Sequence, residues 1–425
     1  MSSDLKLPNG FNRQAGSLRC ESVPAAELAE RYGTPLYVYS QTAITESFKA
    51  WENAFDGAPH LICYAVKANS NIAILRLLAS MGSGFDIVSG GELARVLAAG
   101  GDPAKVVFSG VGKSATEIAK ALEVGIRCFN VESTTELYLI EQIANQRDEI
   151  APISIRINPD VDAKTHPYIS TGLKENKFGV TAEQALALYH YAQEATHLRP
   201  VGVDCHIGSQ LTEIEPFIES VQHLRNLVSQ LREAGVHIEH IDFGGGLGIQ
   251  YADETIPSPS DLISAIRKEL DPLGAELMIE PGRSIVGNAG SLLTRVLVTK
   301  AGETKNFAIV DAAMNDLLRP ALYSAWQNIV EVSVSEGSSK STYDIVGPVC
   351  ETGDFLGKER SLSIREGDLL AVMGAGAYSF SMSSNYNTRP RAVEVLVHHS
   401  ESHIIRQREQ LSSLWRDEQI PKALL

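Results

Sequence analysis

One lysine stands inside an otherwise apolar stretch, Tyr64-Ala65-Val66-Lys67-Ala68-Asn69. An amine drawn into apolar surroundings loses solvation of its charged form, which lowers its pKa from an ordinary ~10.4. A partly neutral amine can attack a carbonyl to make a Schiff base. The plain alternative is a surface lysine held by a carboxylate. Two glycine-bearing turns invite a second chemistry: Gly244-Gly245-Gly246-Leu247-Gly248 and Pro281-Gly282-Arg283. Backbone N–H groups not covered by side chains can cradle a phosphate, although a tight turn would read the same way. Cys350 lies in a polar loop between Pro348 and Glu351-Thr352-Gly353-Asp354, and a thiol of ordinary pKa ~8.5 can hand over a proton at neutral pH. Its plain reading, a small buried hydrophobe, is kept for Cys20, Cys63, Cys128 and Cys205.

The elements that must position these groups repeat along the chain. Short apolar, β-branched runs occur at Leu61–Asn69, Gly84–Ser89, Lys105–Gly110, Arg127–Glu132, Pro152–Pro159, Pro200–Gly208, His240–Gly245 and Leu277–Gly282. Between them lie stretches with helical spacing of apolar residues, among them 71–80, 90–100, 114–125 and 216–235. Runs this continuously apolar suit parallel strands covered on both faces. Eight alternations favour a (β/α)8 barrel of the TIM type over an open doubly wound sheet. After Arg283 the texture changes to alternating strands at 291–302, 306–313, 329–337, 342–350, 368–376 and 389–399, with a helix-like end at Ile404–Ile420. This predicts a second, mostly β domain, sandwich- or barrel-like. The strand-like Pro35–Ser40 could pair with it. The expected division is 41–285 for the barrel, and 1–40 plus 286–425 for the second domain.

In such a barrel, chemistry gathers at the C-terminal ends of the strands. The polar residues fall there: Lys67 and Asn69, Arg156 and Asn158, His206 and Ser209, Gly244 to Gly246, then Glu280, Gly282 and Arg283. The loops after strands seven and eight are the recurrent phosphate site of this fold. A phosphate cradle sharing one barrel mouth with a strand-end lysine suggests a phosphorylated aldehyde, pyridoxal 5′-phosphate. Glu280 would keep its ring nitrogen protonated. His206 would either stack on the ring or sit as a satisfied core residue.

Thirty-seven basic against fifty-two acidic residues give a net charge of −15, which disfavours nucleic acid and anionic membrane as partners. A local arginine pair can still bind an anionic substrate within a Debye length of ~10 Å. The first twenty residues lack a signal peptide's apolar core, and no apolar run reaches the ~20 residues that span a bilayer. Five scattered cysteines with no CxxC spacing read as cytoplasmic thiols. No metal site is expected.

Together YAVKAN, HIGSQ, GGGLG and EPGRSIV resemble the fold-type III pyridoxal-phosphate decarboxylases, the alanine-racemase-like barrel family that also contains ornithine decarboxylases. The resemblance spans about Pro35 to Val397. Asp311–Tyr323, Val346–Gly357 and Met373–Arg391 resemble the branch that decarboxylates meso-2,6-diaminopimelate to L-lysine and CO2, with Ala313 where a glycine is expected. The resemblance implies that Lys67 holds the cofactor, Gly245, Gly246 and Glu280, Pro281, Gly282 and Arg283 contact it, His206 stacks on the ring, and Ser209 and Tyr378 reach the phosphate. It implies that Arg283, Arg319, Tyr323 and Tyr378 bind substrate, Glu351 its distal ammonium, and that Cys350 donates the proton to Cα. It also implies a homodimer with active sites at the subunit interface, the Cys350–Glu351 loop serving the neighbour. A substrate with an amino-acid head at each end satisfies arginines and a glutamate together. The alternatives are a related decarboxylase acting on ornithine, arginine, lysine or a D-amino acid, and a non-catalytic pyridoxal-phosphate-binding protein. The latter has no chemical need for both Lys67 and Cys350. A racemase reading is weaker, for want of a second opposed base.

Overall fold

A computed structural model of the chain describes residues 6–162, 171–172, 176–334 and 339–424. They form two compact units, one of residues 45–250 with 254–285, the other of residues up to 44 with 251–253 and 286 onward.

The first unit is a closed barrel of eight parallel strands. In chain order these are His60–Ala65, Gly84–Ile87, Val106–Phe108, Cys128–Val131, Ala151–Ile157, Leu198–Cys205, His240–Asp242 and Glu276–Ile279. The eighth pairs with the first, Leu277 opposite His60, so the sheet has no edge and the open arrangement is excluded. Each of the eight strands overlaps one of the runs read from sequence, four of them starting one or two residues earlier, at His60, Ala151, Leu198 and Glu276. Several helices begin on hydroxyl caps: Ser89 accepts from the Glu92 N–H, while Ser114 with Glu117 and Ser258 with Asp261 form reciprocal capping boxes. Each such cap satisfies a backbone donor that the helix start leaves open.

Successive side chains of a strand alternate between its faces, so residues two apart share one. Along the barrel this period carries a gradient from apolar or neutral residues to polar and charged ones. Val107 is followed by Ser109, Cys128 by Asn130, Ser154 by Arg156, Gly202 by Asp204, His240 by Asp242 and Met278 by Glu280. Leu61, Cys63, Val107, Cys128, Val201 and Met278 pack as one apolar cluster at the N-terminal end.

The second unit is built on a nine-stranded sheet. Leu36–Ser40 lies between Gly290–Ala301, antiparallel, and Val393–His398, parallel. Asn306–Val310, Ser341–Val346 and Phe355–Leu362 extend it on one side. The last of these, and a small sheet of Phe11–Gln14, Ser17–Cys20 and Val23–Pro24, were not legible as strands. Of the run expected over 329–337, Ile329–Glu331 is a strand, and residues 335–337 lie outside the described residues. The expected C-terminal helix is absent. Ile404 to Arg406 finish a strand, Glu401–Arg406, that turns back onto Val393–His398, and Leu411–Leu414 form one 3-10 turn. The hairpin satisfies backbone groups a helix would have paired, and Leu411 and Trp415 stay exposed instead of forming a buried stripe. Among the described residues no helix is long and apolar enough to cross a membrane.

Candidate active site

The strand ends of the barrel bring its charged residues together. Lys67 sits in a single 3-10 turn, Val66–Ala68, directly after the first strand. Its side chain is one-third exposed, and its ammonium is ion-paired with Asp86, a fully buried carboxylate on the second strand. The lysine is therefore not left to desolvation alone, as the apolar sequence around it suggested. Its charge also reaches Glu280, Asp242 and His206, lowering the pKa of each as a minor contribution. Asp204 stands in register with both Arg156 and Asp242 on its two neighbouring strands. Arg156 bonds Glu132 at 2.8 Å, lies 3.8 Å from Asp204, and donates to the His206 carbonyl at 3.3 Å.

Burial, then the neighbouring carboxylates Asp86, Asp242 and Asp204, push Glu280 well above the ordinary range. Burial lifts Asp242 to about 7 against the N–H of Gly244, which it accepts at 2.8 Å. The His206 ring keeps some open surface, yet burial and then the Arg156 guanidinium hold its pKa well below 6.5, so it is neutral. Its Nδ1 accepts from the Gly245 N–H at 3.2 Å, which ties the ring to the glycine turn.

That turn has no room for side chains. A Cβ on Gly245 would lie 2.1 Å from the Glu280 carbonyl oxygen, and Gly246 has φ +115°. On Gly282 it would meet Ala68 and Ala65 at 2.9 and 3.0 Å. Pro281 and Arg283 are buried beside it, and Arg283 donates to the Ser209 hydroxyl at 3.1 Å. The result is bare backbone flanked by a cation and a hydroxyl.

The remaining expected residues belong to the other unit. Arg319 is buried and opens the short helix Arg319–Tyr323, its guanidinium 4.6 Å over the Tyr251 ring. Tyr323 is half-buried at the end of the same helix. Tyr378 is half-buried with φ +53°, in the left-handed region where non-glycine residues are uncommon. Cys350 and Glu351 are exposed on one loop, where the Cys350 N–H donates to Asn387 Oδ1 at 3.1 Å. Burial first of all raises the pKa of the other four thiols, so they stay protonated.

Residues 41–287 match the family model described as pyridoxal-dependent decarboxylase, pyridoxal binding domain. A diaminopimelate decarboxylase from Vibrio cholerae is 56% identical over 412 residues, covering 96% of this chain and 99% of the relative. The chain belongs to the diaminopimelate decarboxylase family. Crystal structures of the family agree in fold. The Helicobacter pylori enzyme, complexed with L-lysine, superposes with a TM-score of 0.89 at 47% identity, over 92% of this chain and 98% of the other. The M. jannaschii enzyme, also with L-lysine, gives 0.94 at 40% identity, over 99% and 100%.

The family's cofactor fits the donor set. The amine of Lys67, the glycine backbone with Arg283 and Ser209, and the carboxylate of Glu280 supply what an aldehyde, a phosphate and a pyridine nitrogen require. Sequence reasoning missed Asp86, Glu132, Asp204 and Asp242. The two-residue step toward each strand end was the available signal, since it puts these acids on the faces that carry Arg156, His206 and Glu280.

Proposed function

We propose that this protein decarboxylates meso-2,6-diaminopimelate with pyridoxal 5′-phosphate, releasing CO2 and L-lysine. The observation that carries the reading is the shared barrel mouth, where an ion-paired Lys67, a glycine turn without side-chain room and the buried Glu280 meet. Lys67 Nζ would hold the cofactor's aldehyde carbon, and Asp86 would receive the ammonium whenever the amine is displaced. Gly245, Gly246 and Gly282, with Ser209, Arg283 and Tyr378, would bind the phosphate. Glu280 would hold a proton on the ring nitrogen, and neutral His206 would lie against the ring. Bound, the cofactor supplies the electron sink that receives the pair left when the Cα–carboxylate bond breaks. Cys350 Sγ would then deliver the proton that replaces CO2 at Cα. Arg319 and Tyr323, with Arg283, would hold the distal carboxylate, and Glu351 the distal ammonium. A guanidinium fork reads a carboxylate in bidentate fashion, which favours a dicarboxylate over a simple diamine precursor.

In this reading the protein is a cytoplasmic homodimer. Exposure of Cys350 on its loop supports delivery of the thiol to a neighbouring subunit's barrel, and five free thiols suit a reducing compartment. The test is turnover of the meso isomer, measured as equimolar CO2 and lysine. Arg319→Ala should raise KM for diaminopimelate by about 10-fold or more, as expected when a charge-assisted contact of ~1.5–3 kcal/mol is lost. Turnover of ornithine with none of diaminopimelate would overturn the substrate, and an unchanged KM in the variant would remove Arg319 from recognition.

A further inference from the structure

Glu280 is gripped from one side. Its Oε1 accepts from Ser109 Oγ and from Asn130 Nδ2, each at 3.3 Å. Asn130 Nδ2 also donates to Ser109 Oγ at 3.1 Å. The hydrogens balance: the two amide hydrogens go to the serine oxygen and the carboxylate, and the single hydroxyl hydrogen goes to the carboxylate. Among the described residues Glu280 Oε2 takes no hydrogen bond. Behind this pair lies Lys113, whose side chain is only 1% exposed. Its ammonium donates to the carbonyls of Gly110 and Asn130 at 2.8 and 2.7 Å and pairs with Glu136 at 2.7 Å. A buried ammonium so fully satisfied is costly to move, because any displacement leaves a charge unpaired. It ties the ends of the third and fourth strands together, the two ends that carry Ser109 and Asn130.

Neutral donors suit this position. Glu280 is faced by Asp86, Asp204 and Asp242 from the second, sixth and seventh strands, by Lys67 after the first and by Arg156 on the fifth. The thiols Cys63 and Cys128 also face it. Three like charges and burial disfavour a carboxylate there, whereas hydrogen bonds to the ionised form favour it.

We propose that Ser109 and Asn130, locked by Lys113, are positioning residues for the decarboxylation: they fix Oε1 of Glu280, favour its carboxylate form and leave Oε2 for the cofactor's ring nitrogen. The proposal rests on the reading that Glu280 pairs with that nitrogen. Ser109→Ala, Ser109→Thr, Asn130→Asp and Glu280→Gln test it in the holoenzyme, with circular dichroism to verify folding. Loss of a donor raises the pKa of Glu280, so the ionised form appears only at higher pH and the acid limb of kcat/KM moves upward. For Asn130→Asp, which removes the amide donor and adds a like charge beside Oε1, the shift should be about one pH unit, with kcat down about 10-fold, KM within about twofold and the cofactor dissociation constant up about 10-fold, and the Ser109 pair isolates the donor's share. Ser109→Ala should move the limb the same way by less, and Ser109→Thr, which keeps the hydroxyl, should restore it. The pH titration of the bound cofactor's absorbance should shift in parallel. Should Asn130→Asp misfold, the Ser109 pair decides. Parental limbs, affinities and titrations in the donor variants, beside a crippled Glu280→Gln, would overturn the proposal alone. A Glu280→Gln variant that binds cofactor and turns over like the parent would instead overturn the pairing on which it rests.

Discussion

The two ends of the barrel are made by the same eight strands and differ in almost everything else. At the C-terminal end Lys67, Asp86, Arg156, Glu132, Asp204, Asp242 and Glu280 form a charged network. At the N-terminal end an apolar cluster including Cys63, Cys128 and Met278 closes the interior, and His240 Nε2 lies 3.8 Å from Cys128 Sγ. Each end has a glycine that cannot carry a side chain. Gly245 would drive a Cβ into the Glu280 carbonyl at 2.1 Å, and Gly202 into the His240 ring at 2.0 Å. The same steric fact serves binding at one end and packing at the other, in keeping with a fold whose chemistry sits at the C-terminal face and whose opposite face serves stability.

Gly245→Ala offers the largest break with that division. Forcing a methyl against a carbonyl costs about 1–3 kcal/mol. Here it should appear as a cofactor dissociation constant raised about 10- to 100-fold, at 1.4 kcal/mol per tenfold. Titration of the apo-protein by fluorescence measures it. Gly202→Ala should place a similar cost in stability, lowering Tm by about 2–4 °C per kcal/mol for a unit of this size, with cofactor affinity unchanged. Equal loss of affinity in both variants would erase the distinction between the ends.

The smallest effect is a pH dependence. Burial, and then the charge of Arg127, hold the pKa of His240 down at about 3. Its unfolded value is ~6.5, so below that pH the unfolded chain binds a proton the folded chain refuses. This histidine therefore contributes nothing to the pH dependence above pH ~6.5, and as pH falls from there toward 3 it subtracts stability at about 1.4 kcal/mol per unit. His240→Asn should flatten the acid side of an unfolding-versus-pH curve by that slope. An unaltered slope would mean that the ring is already protonated in the folded protein.

The barrel was readable because each strand is a short, continuous apolar run, and Lys67, His206, Gly244 to Gly246 and Glu280 were readable as breaks in such runs at their C-terminal ends. The interior acids were not, because Asp86, Asp204 and Asp242 sit within strands where a single polar residue resembles any alternating position. Their partners come from other strands, and local spacing carries no such pairing. Ser109, Lys113 and Asn130 were hidden for the same reason. In the second unit, Phe355–Leu362 carries Lys358, Glu359 and Arg360 in mid-strand and so lacked an apolar signature. The C-terminal stretch was misread because isolated leucines and a tryptophan at near-helical spacing mimic an amphipathic face, while the backbone of Glu401–Arg406 is taken up by a hairpin. Cys350 stood out by its loop, and its exposure separates it from four buried thiols.

The central claim is that the amine at position 67 is the one that holds the cofactor. The protein, loaded with pyridoxal 5′-phosphate, can be reduced with borohydride, digested and examined by mass spectrometry. The account predicts the pyridoxyl mass on the peptide containing Lys67, and no such label in Lys67→Ala. A label on a different lysine, or undiminished labelling in that variant, would contradict it.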